Sequence, residues 1–135
     1  MTKDKELFLL RAYPSLFPPK EERSDPERSC LAWGFECGDG WFDILNEMMK
    51  SIDALHPKGF SFLQIKEKFG TLRVYWGIDS NENEEDLYTR IDEIITRTEQ
   101  LSEAVCEDCG GKGRLRTING WSVTLCDPCT MKRTS

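Results

Sequence analysis

Hydrophobic residues recur along this chain with two different periods. Trp41, Leu45, Met48, Met49 and Ile52 repeat on one face of a 3.6-residue turn and predict a helix over 41–55, closed by Pro57 and Gly59. Asp39, just ahead, is placed as its N-cap. Leu87, Ile91, Ile94, Thr98, Leu101 and Val105 mark the buried stripe of a longer helix over 84–104. A short helix over 3–12, with Leu7, Leu10 and Arg11 near helical spacing, stops at Pro14. The proline-rich and charged stretch 13–28 is expected to be an irregular surface connection.

Between the two longer helices the period falls to two. Residues 60–66 and 71–77 alternate and predict a β-hairpin. Pairing Ile65 with Leu72 and Leu63 with Val74 gathers the apolar side chains on one face, across a loop at 67–70 with Gly70 at positive φ. The other face then carries Phe62, Gln64, Lys66, Arg73 and Tyr75, with Arg73 opposite Gln64.

Cysteine spacing adds a third unit. Cys106 and Cys109 form one C-x-x-C pair, Cys126 and Cys129 another. That is the ligand pattern of a structural zinc site, and four thiolates leave no open position for catalysis. Gly110 and Gly111 follow the first pair, and Asn119-Gly120 separates two β-rich runs, a type I′ hairpin signal. Two knuckles flanking a hairpin predict a zinc ribbon over 106–135, too small to fold without its metal. With Asn119-Gly120 as the turn, Ile118 opposes Trp121, Arg116 opposes Val123, and Arg114 opposes Leu125. Arg114, Arg116 and Trp121 thus share a face that either packs on the main domain or contacts a partner. Cys30 and Cys37 match no knuckle spacing and are expected to be buried free thiols.

The net charge is −6, yet residues 110–135 carry +4 by side chains, leaving −10 elsewhere. A zinc ion bound by four thiolates would reduce the local excess to about +2. Hydrophobic residues at 39% and charged residues at 31% describe a globular chain. With no apolar run long enough for a membrane span or a secretory signal, a cytoplasmic setting is expected. His56 is the one histidine, so a Ser-His-Asp triad would have to use it. Glu36, Asp39 and Asp43 are expected in an ion-pair and capping network with Lys66, Lys68 and Arg73. Alternatively Lys66, Arg73 and Tyr75 form an anion pocket for a nucleotide or phosphate, with Gln64 opposite Arg73 on the same polar face. Asp79, Asn81 and Asn83 open like a calcium loop, but Glu84 stands at the glycine position and Arg90 at the twelfth, so a solvated loop is expected.

The blocks 33–41 (WGFECGDGW), 64–75 (QIKEKFGTLRVY), 106–110, 113–116, Gly120-Trp121 and 125–129 together resemble a family of small, largely uncharacterised bacteriophage, prophage and bacterial proteins. In that family the last metal ligand is often histidine, where this chain has Cys129. The resemblance implies a bacterial cytoplasmic setting and no particular activity.

The expected architecture is α+β: two main helices on a small antiparallel hairpin, with a C-terminal zinc ribbon. Its divisions are an N-terminal helix and connection (1–29), a main domain (30–105) and the ribbon (106–135). The leading functional expectation is a non-enzymatic zinc protein that binds a host or defence macromolecule. Nucleic-acid binding through the basic ribbon, or sequestration or turnover of a nucleotide-type molecule by Lys66, Arg73 and Tyr75, stands as the alternative.

Overall fold

The computed structural model describes residues 1–27, 29–79 and 81–135. Arg28, expected in the proline-rich connection, and Ser80, expected in the acidic loop, lie outside the described residues. The fold mixes helices with two small antiparallel sheets. Helix α1 spans Lys3–Ala12 and a short α2 spans Lys20–Arg23. Helix α3 (Phe42–Asp53) precedes the hairpin of β1 (Ser61–Lys68) and β2 (Thr71–Gly77). Helix α4 (Glu85–Leu101) leads to a second hairpin, β3 (Arg114–Ile118) and β4 (Trp121–Leu125), and to α5 (Asp127–Thr134). Among the described residues, no helix is long and apolar enough to cross a membrane.

The predicted stripe of α3 is the core face: Trp41, Leu45, Met48, Met49 and Ile52 are all buried. On α4 the buried set is Leu87, Ile91, Ile95 and Thr98, not Ile94 and Leu101. Leu101 is half exposed, because the next core position on that face is Ser102, whose hydroxyl accepts the Leu72 N–H at 2.9 Å. Asp39 does not cap α3. Its carboxylate accepts the Thr2 N–H at 2.7 Å and so ties α1 to the start of α3.

The stretch expected on the surface is partly core. Leu16 and Phe17 are buried, and Phe17 begins a run of ring contacts through Phe62, Phe60 and Trp76 to Tyr88 on α4. The flanking prolines rigidify this segment instead of marking it as solvated.

The first hairpin turns more tightly than expected. Phe69 (φ 54°) and Gly70 (φ 84°) alone form its turn, so Ile65 pairs with Val74 and Glu67 with Leu72. The register shifts between Phe62 and Gln64, a bulge that leaves Leu63 exposed and brings Phe62 onto the core face with Ile65. Lys66, not Gln64, lies opposite Arg73, and Gln64 lies opposite Tyr75. Glu36 pairs with the outer side of β1: its N–H donates to Ile65, and its carbonyl accepts from Glu67, both at 2.9 Å. The free edge of β2 is covered by side chains from the end of α4, as Glu99 accepts the Val74 N–H at 3.0 Å and Ser102 that of Leu72.

Candidate metal centre

The second hairpin follows its predicted register residue for residue, with Asn119 and Gly120 at positive φ. It brings the two cysteine turns to one end. In the first, the Gly110 N–H donates to the Cys106 carbonyl at 2.9 Å, and Gly110 takes φ 81°. The Gly111 N–H approaches the Cys109 sulfur at 3.4 Å. In the second, Cys126 is the N-cap of α5, and its sulfur accepts the Cys129 N–H at 3.4 Å. Amide hydrogen bonds of this kind orient sulfur ligands around a cation.

The four cysteine sulfurs lie within 4.8 Å of one another, with Cys109 and Cys126 at 3.6 Å. A tetrahedral ion with zinc–sulfur bonds of about 2.3 Å has sulfur–sulfur edges of about 3.8 Å, so the cluster fits an ion such as zinc. Cys106 and Cys129 are buried while Cys109 is exposed, so the cluster is walled on one side by protein. Burial opposes ionisation of Cys106, but amides from Cys126, Cys109 and Asp108 outweigh it and bring that thiol down to about 7. Contact with Cys126, then burial, pushes Cys129 up to about 12.

The cluster does not hang free from α4. A Cβ on Gly38 would meet the Glu107 carbonyl oxygen at 2.4 Å, so the Gly-Asp-Gly segment is pressed against the first knuckle. The Gly40 N–H donates to the Glu107 carbonyl at 2.7 Å, and the Gly38 N–H to the buried Glu107 carboxylate at 2.9 Å. Burial raises the Glu107 pKa, and the Gly38 amide partly offsets this. The Trp41 indole donates to the Val105 carbonyl at 2.9 Å. From the other side, the Thr124 hydroxyl donates to the Gly70 carbonyl at 2.7 Å. Sequence reasoning missed Trp41, Glu107 and Thr124 as parts of this junction. The closely spaced glycines of 38–40 were its one legible signal.

The remaining sequence-predicted residues divide clearly. Arg116 is committed: its guanidinium holds Asp127 at 2.5 Å and the Leu125 carbonyl at 3.0 Å. Asp127 is correspondingly held below the usual carboxylate range, first by that hydrogen bond. Arg114, on the same side of the hairpin, is largely exposed and reaches Asp127 only at 3.8 Å. Trp121 is 76% exposed, so the main domain does not cover its indole. Gln64, Lys66, Arg73 and Tyr75 share the outer face of the first hairpin, where the Lys66 ammonium lies 5.8 Å from the Tyr75 ring centre. The clefts beside α1, α3, α4 and β3 are lined by residues other than these four.

Glu36, Asp39 and Asp43 do not form the expected ion-pair network. Glu36 accepts from the Gln64 amide at 3.4 Å, Asp39 accepts from Thr2, and Asp43 is exposed. Cys30 is exposed, contrary to expectation, whereas Cys37 is buried and its thiol is pushed up to about 12 by desolvation. The Asn83 side chain is used in bonds to the Lys58 backbone and the Asp79 carbonyl, so it clips the acidic loop.

No protein-family model, curated protein or solved structure matches the chain.

Proposed function

We propose that this chain is a non-enzymatic binding protein of phage or prophage type, acting in a bacterial cytoplasm on a host or defence protein. In this reading the four cysteines hold a structural zinc ion and residues 106–135 form a zinc ribbon. Four cysteines fill a tetrahedral shell, which suits a scaffold and leaves no place for an activated water. The observation that carries the choice of a protein partner is the balance of charge and apolar surface around the second hairpin. Arg116 and Arg133 are already paired with Asp127 and Asp108, at 2.5 and 2.6 Å. Those pairs, with the negative charge of a four-thiolate zinc site, spend most of the local positive field that nucleic acid would need. Trp121, Leu115, Phe69 and Met131 meanwhile remain more than half exposed. Exposed aromatic and aliphatic anchors beside a partly free arginine suit a protein contact.

The test is affinity capture from bacterial lysate with the zinc-loaded chain. A stoichiometric protein partner should survive moderate salt and be lost with Trp121→Ser or Leu115→Ser. Repeated capture that returns nothing, or returns nucleic acid released steeply by salt, would remove the reading.

A further inference from the structure

A cleft of about 570 Å³ touches every residue of β3 on one side and Thr130 and Thr134 of α5 on the other. Successive strand residues point to opposite faces, so a cleft lying over one face would touch alternate residues. A cleft that touches all of them runs along the strand's edge.

Ladder geometry identifies the backbone groups on that edge. In a hairpin closed by a two-residue turn, the pair next to the turn exchanges both hydrogen bonds, and the pattern then alternates. Ile118, Arg116 and Arg114 therefore bond to β4, while Leu115 and Thr117 turn their N–H and C=O groups outward. Neighbours of the same parity behave accordingly. The Thr124 carbonyl accepts from Glu107 outside the hairpin, and the Gly113 N–H donates outward to Ala104, both at 2.9 Å. Among the described residues, no hydrogen bond reaches the backbone N–H or C=O of Leu115 or Thr117. The fold thus uses the Thr124 carbonyl on the β4 edge and the start of β3, but leaves Leu115 and Thr117 of β3 open, and it is along β3 that the cleft runs.

We propose that this edge takes an extended, acidic segment of a partner protein as an added strand, with α5 as the facing wall. This rests on the protein-binding reading above and states where the partner sits. Main-chain bonds to Leu115 and Thr117 would supply affinity, and alternate side chains the selectivity. The preference for acid follows from charge. Arg114 lines the cleft and is 74% exposed, and the carboxylate nearest to it is already held by Arg116. Leu115, at 54% exposure, offers an apolar contact at the neighbouring position.

The test uses the full zinc-loaded chain, isotope-labelled, with short acetylated peptides alternating Glu with Val and counterparts with Lys in place of Glu. Without peptide, the Leu115 and Thr117 amides should exchange with solvent at least about tenfold faster than those of Arg116 and Ile118. The acidic peptide should slow both by about tenfold, and the lysine peptide should not. Thr117→Pro removes an N–H that the hairpin does not use, so metal stoichiometry should hold while affinity for the acidic peptide falls about tenfold. Arg114→Glu should reverse the preference between the two peptides. Slow exchange of these amides in the peptide-free chain would overturn the proposal. So would failure of the acidic peptide to bind, protection that grows with protein concentration (a second copy pairing at the edge), or stronger shifts from oligothymidine. A lysate partner indifferent to Thr117→Pro would overturn the edge while leaving the protein-binding function standing.

Discussion

Gly40 lies so close to Cys106 that a Cβ added to the glycine would sit 2.1 Å from the cysteine's carbonyl oxygen. Both groups are backbone, so neither can rotate away. The contact joins the start of α3 to the first cysteine turn. Gly40→Ala should therefore destabilise the chain by about 2 kcal/mol or more, near the upper range for overpacking. It should also weaken metal binding, because the knuckle must shift to make room. Urea unfolding and metal titration of the variant check both, and an alanine variant equal to wild type in both would show that the contact is slack.

Metal removal should be felt in the core as well as in the tail. The buried Trp41 donates its indole N–H to Val105, the residue before the first ligand. Zinc at about a thousand times its Kd should add about 4 kcal/mol of stability. Chelation should lower the Tm by the corresponding amount and shift tryptophan fluorescence. Cobalt substitution should give tetrahedral thiolate bands, lost with Cys106→Ser. Trp41→Phe, which leaves the Val105 carbonyl without its donor, should cost about 1–3 kcal/mol even with metal bound.

The second hairpin was legible because one dipeptide fixes its register. Asn119-Gly120 can hardly be anything but a two-residue turn, and both strands are too short to slip. The cysteine cluster was legible for a similar reason, since two C-x-x-C pairs on either side of a hairpin bring four sulfurs together. In the first hairpin the faces could be read from Gln64 onward, but neither the register nor the exchange of Phe62 and Leu63 between faces could. Phe69 carries no turn signal, and the Leu63 bulge breaks the period that the pattern relies on. Leu16 and Phe17 were hidden by prolines that usually mark solvated chain. The junction with the cysteine cluster is a matter of long-range backbone approach, which no local pattern encodes.

Phe69 occupies a position that suits Asn or Gly. It holds φ 54° in the turn and leaves 71% of its surface exposed. A bulky residue in the left-handed region costs about 1 kcal/mol. Strain retained at an exposed aromatic fits a contact residue. Phe69→Asn should raise stability by about 0.5–1 kcal/mol in denaturant unfolding, while weakening capture of a partner that uses this side of the hairpin. A variant less stable than wild type would show that the ring supports the fold instead.

Glu99 gives the chain a pH dependence of definite sign. It is partly buried against β2, where desolvation raises its pKa and the Val74 N–H and Arg73 only partly compensate. A carboxylate with a raised folded-state pKa binds more protons in the folded chain than in the unfolded one across the window between the two values. Its contribution is therefore fully present below the unfolded pKa of about 4.3 and is lost as pH rises through the folded value. Glu99→Gln keeps an acceptor for the Val74 amide and removes the charge. The variant should be more stable than wild type at neutral pH, with the difference vanishing as pH falls below the ordinary carboxylate range. Chemical denaturation across that range, on zinc-loaded protein above the pH at which the cysteines release metal, measures it. A glutamine variant weaker than wild type at neutral pH would mean that attraction to Arg73 outweighs desolvation and that Glu99 holds the β2 edge as an anion.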